Sequence, residues 1–286
     1  MKFPIGKAAA TGGHLPAASR RTKQTEEHIM YKRILAIGDI HGEYDKLVDL
    51  YAKIDFNPPD DLLVFLGDYV DRGKKPIEVL QWLMARRDEP NVVMLRGNHD
   101  QMMLDCYFRK EVQQTWGGPF APEDHGDVWK ENGGNKTHNA LNKSAWRLAA
   151  EAGKPNDAPT HREIFRKRCL EFCRFIAGLP LFHQVEVGGR TYFFCHAGIR
   201  PGVPPAEQNP EDLLWIRPES FLTKHLDSHM VVAGHTQVGG IRRWLGMEPG
   251  LAPVILDNMI FLDTAACEGG PLFCVDVLSG REWQSD

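Results

Sequence analysis

Three segments of the chain repeat the same order, in which a short apolar run is followed by a polar loop and then by apolar residues at helical spacing. The apolar runs cover 34–37, 62–66 and 92–95. Runs of four or five apolar residues indicate buried strands, and the spacing that follows them indicates amphipathic helices. Three strand–loop–helix units in succession predict a largely parallel, right-handed sheet whose loops gather at the carboxyl ends of the strands.

The pattern changes between about 109 and 180, where Trp-rich, Gly-rich and charged stretches replace the strand series. The apolar spacing becomes helical there, so we interpret this region as a mostly helical insertion or cap. A second, more antiparallel sheet packed against the first is predicted from later strand candidates. These candidates are the segments 191–195, 230–234, 260–263 and 272–277.

The composition fits a soluble globular protein, since 42% of the 286 residues are hydrophobic and 25% are charged. A net charge of −4 gives no whole-protein positive field, so we expect no nucleic-acid partner. The six cysteines include no CxxC pair and are interpreted as reduced thiols. The chain contains no run of about 18 apolar residues that could span a bilayer, and no secretory signal is evident. We therefore expect a cytoplasmic protein without membrane contact.

The predicted organisation is a disordered tail over 1–29 and one domain over 30–286 that includes the insertion. Residues 1–25 carry basic side chains and no acidic ones, a composition that transit peptides share. A plain disordered tail is the interpretation we favour. The sequence leaves the oligomeric state open.

Candidate metal-binding side chains follow the predicted strands at one edge. A single Asp or His after a strand is usually a cap or a turn residue. Five loops that each carry Asp, Asn or His directly after a predicted strand need another explanation. A two-metal site supplies it, because one carboxylate can bridge two cations about 3.5–4 Å apart. Asp39 and His41 can hold the first ion, and Asp68 can bridge. The remaining candidates, which can hold the second ion, are Asn98, His196 and His235.

The chemistry of these donors narrows the choice of metal. Carboxylate, carboxamide and imidazole ligands without a thiolate suit Mn²⁺, Fe or Zn²⁺, whereas Mg²⁺ tolerates three imidazoles poorly. We expect two divalent metal ions, with Mn²⁺ preferred and Fe or Zn²⁺ as alternatives.

Five short motifs stand in order along the chain, namely GDIHG at 38–42, GDYVDRG at 67–73, RGNHD at 96–100, HAG at 196–198 and GHT at 234–236. Over roughly residues 33 to 277, this series resembles that of the calcineurin-like metallophosphoesterases, and specifically the bacterial PPP-type serine/threonine protein phosphatases. The resemblance implies an α/β/β/α sandwich of two sheets with a dinuclear metal site at the strand ends. It also implies in-line attack on phosphorus by a metal-bound hydroxide, with the same six ligands.

The resemblance implies roles for four further side chains. His99 would be the general acid that protonates the leaving alkoxide, and Asp71 would orient its imidazole and keep it protonated. Arg72 and Arg217 would clamp the phosphoryl oxygens, because a guanidinium can hold two of them at once. Arg217 lies in the segment DLLWIRPESF, where the match to the family is shorter.

Two features of the sequence favour different substrates. Position 100 is Asp rather than the Glu of RGNHE, as in many bacterial members and in the symmetrical diadenosine tetraphosphate hydrolases. The segment WKENGGNKT at 129–137 is instead similar to the bacterial protein-phosphatase branch. We expect a phosphatase acting on phosphoserine or phosphothreonine in proteins, or on small phosphoesters. A symmetrical dinucleoside polyphosphate hydrolase is the alternative, and a non-catalytic scaffold is a third, less favoured interpretation.

Overall fold

Two five-stranded sheets form the centre of the fold in the computed structural model, which describes residues 31–107, 125–204, 207–222 and 229–286. The tail predicted over 1–29 lies outside these residues, as does part of the predicted insertion. The strands are β1 (Arg33–Ile37), β2 (Asp61–Phe65), β3 (Val92–Met94), β4 (Phe182–Val187), β5 (Arg190–Cys195), β6 (His229–Ala233), β7 (Val254–Ile255), β8 (Met259–Phe261), β9 (Phe273–Asp276) and β10 (Glu282–Gln284).

Helices cover the outer faces of both sheets and make up most of the described insertion. They are α1 (Tyr44–Ile54), α2 (Pro76–Met84), α3 (Asn98–Tyr107), α4 (His125–Trp129), α5 (Asn135–Glu151), α6 (Ala158–Ala177), α7 (Pro210–Trp215) and α8 (Val238–Trp244). No helix in the described ranges combines the length and the apolar character needed to cross a membrane.

The first sheet has the strand order β10-β9-β1-β2-β3, and β1, β2 and β3 are parallel as predicted. The prediction that 272–277 belongs to the second sheet is wrong, because β9 pairs antiparallel with β1. A buried apolar run indicates a strand but contains no information about which sheet edge it will join.

The second sheet has the order β4-β5-β6-β8-β7. Strands β5, β6 and β8 are parallel, and the two edge strands β4 and β7 are antiparallel to their neighbours. This sheet is therefore mixed rather than mainly antiparallel. The parallel centre matters for function, because it sends the loops after β5 and β6 to one edge.

Alternate side chains of each central strand face different layers. In β1, Ile34 and Ala36 pack between the two sheets, whereas Leu35 and Ile37 pack against α1 and α2. In β5, Phe193 faces α7 and α8 on the opposite outer side. Strands buried on both faces are uniformly apolar, as the sequence of β1 is. The α/β/β/α sandwich expected from the resemblance is thereby confirmed.

Candidate metal centre and active site

The six predicted metal ligands lie together at the carboxyl ends of five strands. They follow β1, β2 and β3 in the first sheet and β5 and β6 in the second, so the cluster forms where one edge of each sheet meets the other. All six are buried: Asp39, His41, Asp68, Asn98, His196 and His235.

Asp68 lies at the centre of this cluster and faces two groups of donors. Its Oδ2 is 3.4 Å from Nε2 of His41, and its Oδ1 is 3.4 Å from Nε2 of His196. One group of potential ligands contains Asp68 with His41 and His99, and the other contains Asp68 with Asp39 and His196. A carboxylate that presents one oxygen to each of two donor groups has the geometry of a bridging ligand.

The donors predicted for the second ion converge on Asn98. Its Oδ1 lies 2.8 Å from Nε2 of His196 and 3.0 Å from Nδ1 of His235. The backbone N–H of His235 donates to both carboxylate oxygens of Asp39, at 3.1 and 3.2 Å. This bond ties the loop after β6 to the loop after β1, so the two donor groups are held in one rigid cluster.

The hydrogen bonds of two imidazoles leave Nε2 as the nitrogen with a free lone pair in each neutral ring. Nδ1 of His41 and Nδ1 of His196 lie 2.8 and 3.0 Å from the backbone carbonyls of Val70 and Leu66, to which they donate. In a neutral ring Nε2 is then an acceptor, and it faces the oxygens of Asp68. Burial lowers the pKa of His196 to about 3 and raises the pKa of Asp68 well above its usual range. Buried acceptors that face one another are stabilised by a cation between them, so these residues fit divalent metal ions.

Backbone strain is concentrated in the same loops. Eight described residues other than glycine have positive φ angles, and five of them are predicted site residues. The left-handed region costs an L-residue roughly 1–2 kcal/mol and persists where the surrounding structure imposes it. The five are His41, Asp68, Asp71, Arg72 and His235.

Asp100, the residue at which the sequence departs from RGNHE, supports the Asp68 loop. Its carboxylate accepts hydrogen bonds from the backbone N–H groups of Asp68, Tyr69 and Gly97, at 2.9, 3.0 and 2.9 Å. A Cβ at Gly97 would lie 2.1 Å from Oδ1 of Asp68, so only glycine permits this approach. The shorter side chain therefore still reaches the loop that carries the candidate bridging ligand.

His99 and Asp71 form a buried pair beside the candidate metal ligands. Nδ1 of His99 lies 2.8 Å from Oδ2 of Asp71, and Nε2 lies 3.0 Å from Nη2 of Arg72. Since the guanidinium can only donate, Nε2 is the acceptor in this arrangement. Burial, and after it the charge of Arg72, lowers the pKa of His99 well below its usual range. The pKa of His99 is thus shifted in the opposite direction to the rise that the Asp71 carboxylate alone would cause.

A cavity of about 400 Å³ opens next to the cluster. Arg72 and Arg217 both line it, together with His235 and with Arg243 of α8. Nη1 of Arg217 donates to Oγ1 of Thr236 at 3.2 Å, which places this guanidinium over the loop that carries His235. The structure thus brings the two predicted phosphate-binding arginines to one pocket. Arg243 was not identified as a pocket residue from the sequence. An exposed arginine on a short helix has no sequence pattern that distinguishes it from other surface arginines.

Two side chains of the insertion also reach the site without having been predicted. Trp129 and Thr137 both contact the carboxylate of Asp71. They are the first and last residues of the segment WKENGGNKT, which was noted in the sequence only for its similarity to one branch of phosphatases. No local pattern assigns either residue a partner 58 or 66 positions away along the chain.

A model of the calcineurin-like phosphoesterase family matches residues 32–251. The chain belongs to this family. The match covers strands β1 to β6 and all six candidate ligands, and the family resemblance expected from the five motifs is confirmed.

Curated relatives include two protein phosphatases of Salmonella typhimurium. Serine/threonine-protein phosphatase 2 is 36% identical over 168 residues, which are 59% of this chain and 59% of that protein. Serine/threonine-protein phosphatase 1 is 28% identical over 251 residues, which are 85% of this chain and 90% of that protein. A symmetrical bis(5'-nucleosyl)-tetraphosphatase of Chromobacterium violaceum is 45% identical over 71 residues, 25% of each chain. The chain thus spans less than two thirds of the length of phosphatase 2 and of the tetraphosphatase.

The crystal structure of a protein provisionally described as a diadenosine tetraphosphatase aligns with this chain. The alignment covers 88% of this chain and 92% of the other. The TM-score is 0.55 at 18% sequence identity. At this identity the alignment supports the shared fold alone.

Proposed function

We propose that the protein is a metal-dependent phosphomonoesterase that acts on phosphoserine and phosphothreonine in proteins. One observation carries the proposal: the candidate ligands, an acid–base pair and two arginines all meet at one buried cluster and its pocket. Each group alone is common, but together they can bind cations, donate a proton and hold a phosphoryl group.

Asp68 divides the donors into two sets that would each hold one divalent cation. Bound cations would neutralise charge on the phosphoryl group and lower the pKa of water to near neutrality. The mixed oxygen and imidazole donors favour Mn²⁺, with Fe or Zn²⁺ as alternatives. We keep the assignment expected from the sequence, with Asp39, His41 and Asp68 for the first ion and Asp68, Asn98, His196 and His235 for the second. The structure also groups Asp39 with Asp68 and His196, so Asp39 lies within reach of the second set as well.

His99 would supply the proton that an alkoxide leaving group needs. A phosphate held by Arg72 would draw the guanidinium away from Nε2 of His99 and place negative charge beside the ring. Both changes raise the pKa of His99, so Nε2 can carry a proton when substrate is bound. Asp71 holds the opposite nitrogen, Nδ1, and so directs Nε2 toward Arg72, which lines the pocket.

Arg72 and Arg217 would bind the phosphoryl oxygens from two sides of the pocket. A guanidinium offers a planar pair of donors to two oxygens, which both orients the group and stabilises charge that develops during attack. Arg72 also contacts Nε2 of His41 at 3.1 Å, so its charge lies directly beside the metal cluster.

The pocket favours a phosphoprotein over a dinucleotide. Among its described lining residues there is no Trp, Tyr or Phe on which a nucleobase could stack. The two protein phosphatases of Salmonella typhimurium also align over longer stretches, 168 and 251 residues, than the tetraphosphatase does over its 71. Both observations support hydrolysis of a monoester rather than cleavage of a polyphosphate chain between two bases.

The proposal is tested by comparing three substrates with the purified protein supplied with Mn²⁺. We expect kcat/KM to be higher for phosphoserine and phosphothreonine peptides than for diadenosine tetraphosphate, with p-nitrophenyl phosphate also hydrolysed. A higher kcat/KM for the dinucleotide would replace the proposal with the alternative of a symmetrical polyphosphate hydrolase. No turnover of any of the three would reject both.

Arg217→Ala is expected to weaken competitive inhibition by inorganic phosphate and to lower kcat/KM, because a bidentate charge-assisted contact is lost. Arg217→Lys should restore part of the loss, since it returns the charge but not the planar fork. Inhibition constants and kcat/KM for p-nitrophenyl phosphate measure both effects.

Arg147 on α5 provides a matched control for this experiment, because its side chain is 72% exposed and lies in an ion pair with Glu151. Arg147→Ala should leave the inhibition constant unchanged. If Arg217→Ala also leaves it unchanged, Arg217 has no part in binding phosphate and Arg72 is the only clamp.

A further inference from the structure

The segment Trp129–Thr137 of the insertion, here called the clip, is hydrogen-bonded to Asp71. Nε1 of Trp129 donates to Oδ2 of Asp71 at 2.8 Å, and Oγ1 of Thr137 donates to Oδ1 at 2.7 Å. All three residues have a relative exposure of 0%. Hydrogen bonds to a buried carboxylate are among the stronger ones in proteins, because water does not compete for it.

These bonds fix both the side chain and the backbone of Asp71. Oδ2 accepts from His99 and from Trp129, and Oδ1 accepts from Thr137, so rotation of the carboxylate would break at least one bond. The same Thr137 hydroxyl accepts from the backbone N–H of Asp71 at 2.9 Å. Asp71 has a φ of 72°, a strained conformation that such a bond can stabilise.

The two glycines of the clip let it approach this loop closely. The carbonyl of Gly133 accepts from the backbone N–H of Arg72 at 3.3 Å, and a Cβ on Gly133 would lie 2.8 Å from Cγ of Arg72. A Cβ on Gly134 would lie 2.4 Å from the indole ring of Trp129. A larger residue at 133 would push the clip away from Arg72, and one at 134 would displace the indole that donates to Asp71.

We propose that Trp129 and Thr137 are positioning residues for the general-acid step, which act by holding Asp71 so that Nε2 of His99 points at the leaving oxygen. The proposal rests on the phosphatase function proposed above. Burial raises the pKa of Asp71 to about 7, and the bonds from Thr137 and Trp129 oppose this rise. The same two hydrogen bonds therefore also stabilise the charged form of the Asp71 carboxylate.

Thr137→Val tests the proposal, because valine has nearly the shape of threonine but lacks the hydroxyl. We expect kcat for a phosphoserine peptide to fall roughly 10–100-fold, the usual effect of losing a residue that orients a functional group, with KM and metal content unchanged. The loss should be smaller for p-nitrophenyl phosphate, since p-nitrophenolate leaves without a proton. Thr137→Ser should restore most of the activity.

Trp129→Phe provides a second variant that keeps an aromatic ring and removes only the N–H donor. It should give the same pattern, a larger loss for the peptide than for the aryl ester. Trp146→Phe on α5 and Thr191→Val in β5 are the matched controls, and neither should change the ratio of the two activities. Thermal unfolding of each variant separates a local effect from loss of the fold.

A double-mutant cycle with His99→Asn separates positioning from a general structural role. If Thr137 acts through His99, adding Thr137→Val to His99→Asn should cause no further loss, because the group it positions is already gone. Equal losses on both substrates, or additive losses in the double variant, would overturn the proposal.

A measurement that does not depend on turnover completes the test. The hydrogen-bonded Nδ1 proton of His99 can be observed by NMR, and Thr137→Val should shift or broaden its signal. An unchanged signal would contradict the proposal even if activity falls. An inactive wild-type protein with a signal that does respond would instead reject the phosphatase function while leaving the positioning contact intact.

Discussion

Asp68→Asn is expected to abolish nearly all phosphatase activity and to reduce bound metal, as measured by steady-state turnover and elemental analysis of the purified protein. Oδ2 of Asp68 faces His41 and Oδ1 faces His196, so both donor groups depend on this one carboxylate. An amide presents one neutral oxygen and one NH₂ group, and the NH₂ group cannot bind a cation. One of the two sites therefore loses a ligand, and both lose a negative charge.

The same change at an exposed aspartate provides the control. Asp45 on α1 has a side chain that is 75% exposed and pairs with Lys75, a contact that contributes little to stability. Asp45→Asn should bind metal and turn over substrate as the wild type does. Two metal ions per chain and near-normal turnover in Asp68→Asn would mean that the bridging ligand has been assigned to the wrong residue.

The position of the candidate ligands was predictable because it depends on local patterns. Asp39 and Asp68 each follow a buried apolar run, and parallel neighbouring strands must deliver their next residues to one edge. To place Asp39 and Asp68 near each other, it is enough to know that β1 and β2 are parallel neighbours in one sheet. His196 and His235 also follow predicted strands, but the second sheet was expected to be more antiparallel, and it is the observed parallel pairing of β5 with β6 that brings both residues to one edge.

Long-range contacts were not predictable in this way. Strand β9 has the same apolar pattern as the strands of the second sheet, yet it pairs with β1 in the first, and no residue in β9 indicates that choice. Thr137 contacts Asp71 across 66 positions, through a kinked turn in which Gly133 lies against Arg72 and Gly134 against Trp129. The positive φ angles of the site loops arise for a similar reason, since the bonds that impose them come from distant residues.

His99→Asn is expected to keep both metal ions and to lower kcat for phosphoserine peptides by roughly 10²–10⁴-fold, the range typical of losing a general acid. Asparagine cannot transfer a proton to an alkoxide, although its amide can still donate to Asp71. The loss should be smaller for p-nitrophenyl phosphate, because its leaving group is stable without a proton. Turnover of both substrates and metal content, measured on the same preparation, test the three expectations together.

The control for this change is His183→Asn on the edge strand β4, whose histidine lines a cavity other than the candidate active-site pocket. It should leave both activities unchanged. The decisive quantity is the ratio of the two losses in His99→Asn, since a ring that only fills space or binds metal would affect both substrates equally. His99 is close enough to Asp68 and His41 to belong to one group of potential metal ligands. Metal binding is therefore the alternative to the general-acid role that this experiment must distinguish. Loss of metal with equal loss on both substrates would assign His99 to the metal cluster and leave the general acid to be found elsewhere in the pocket.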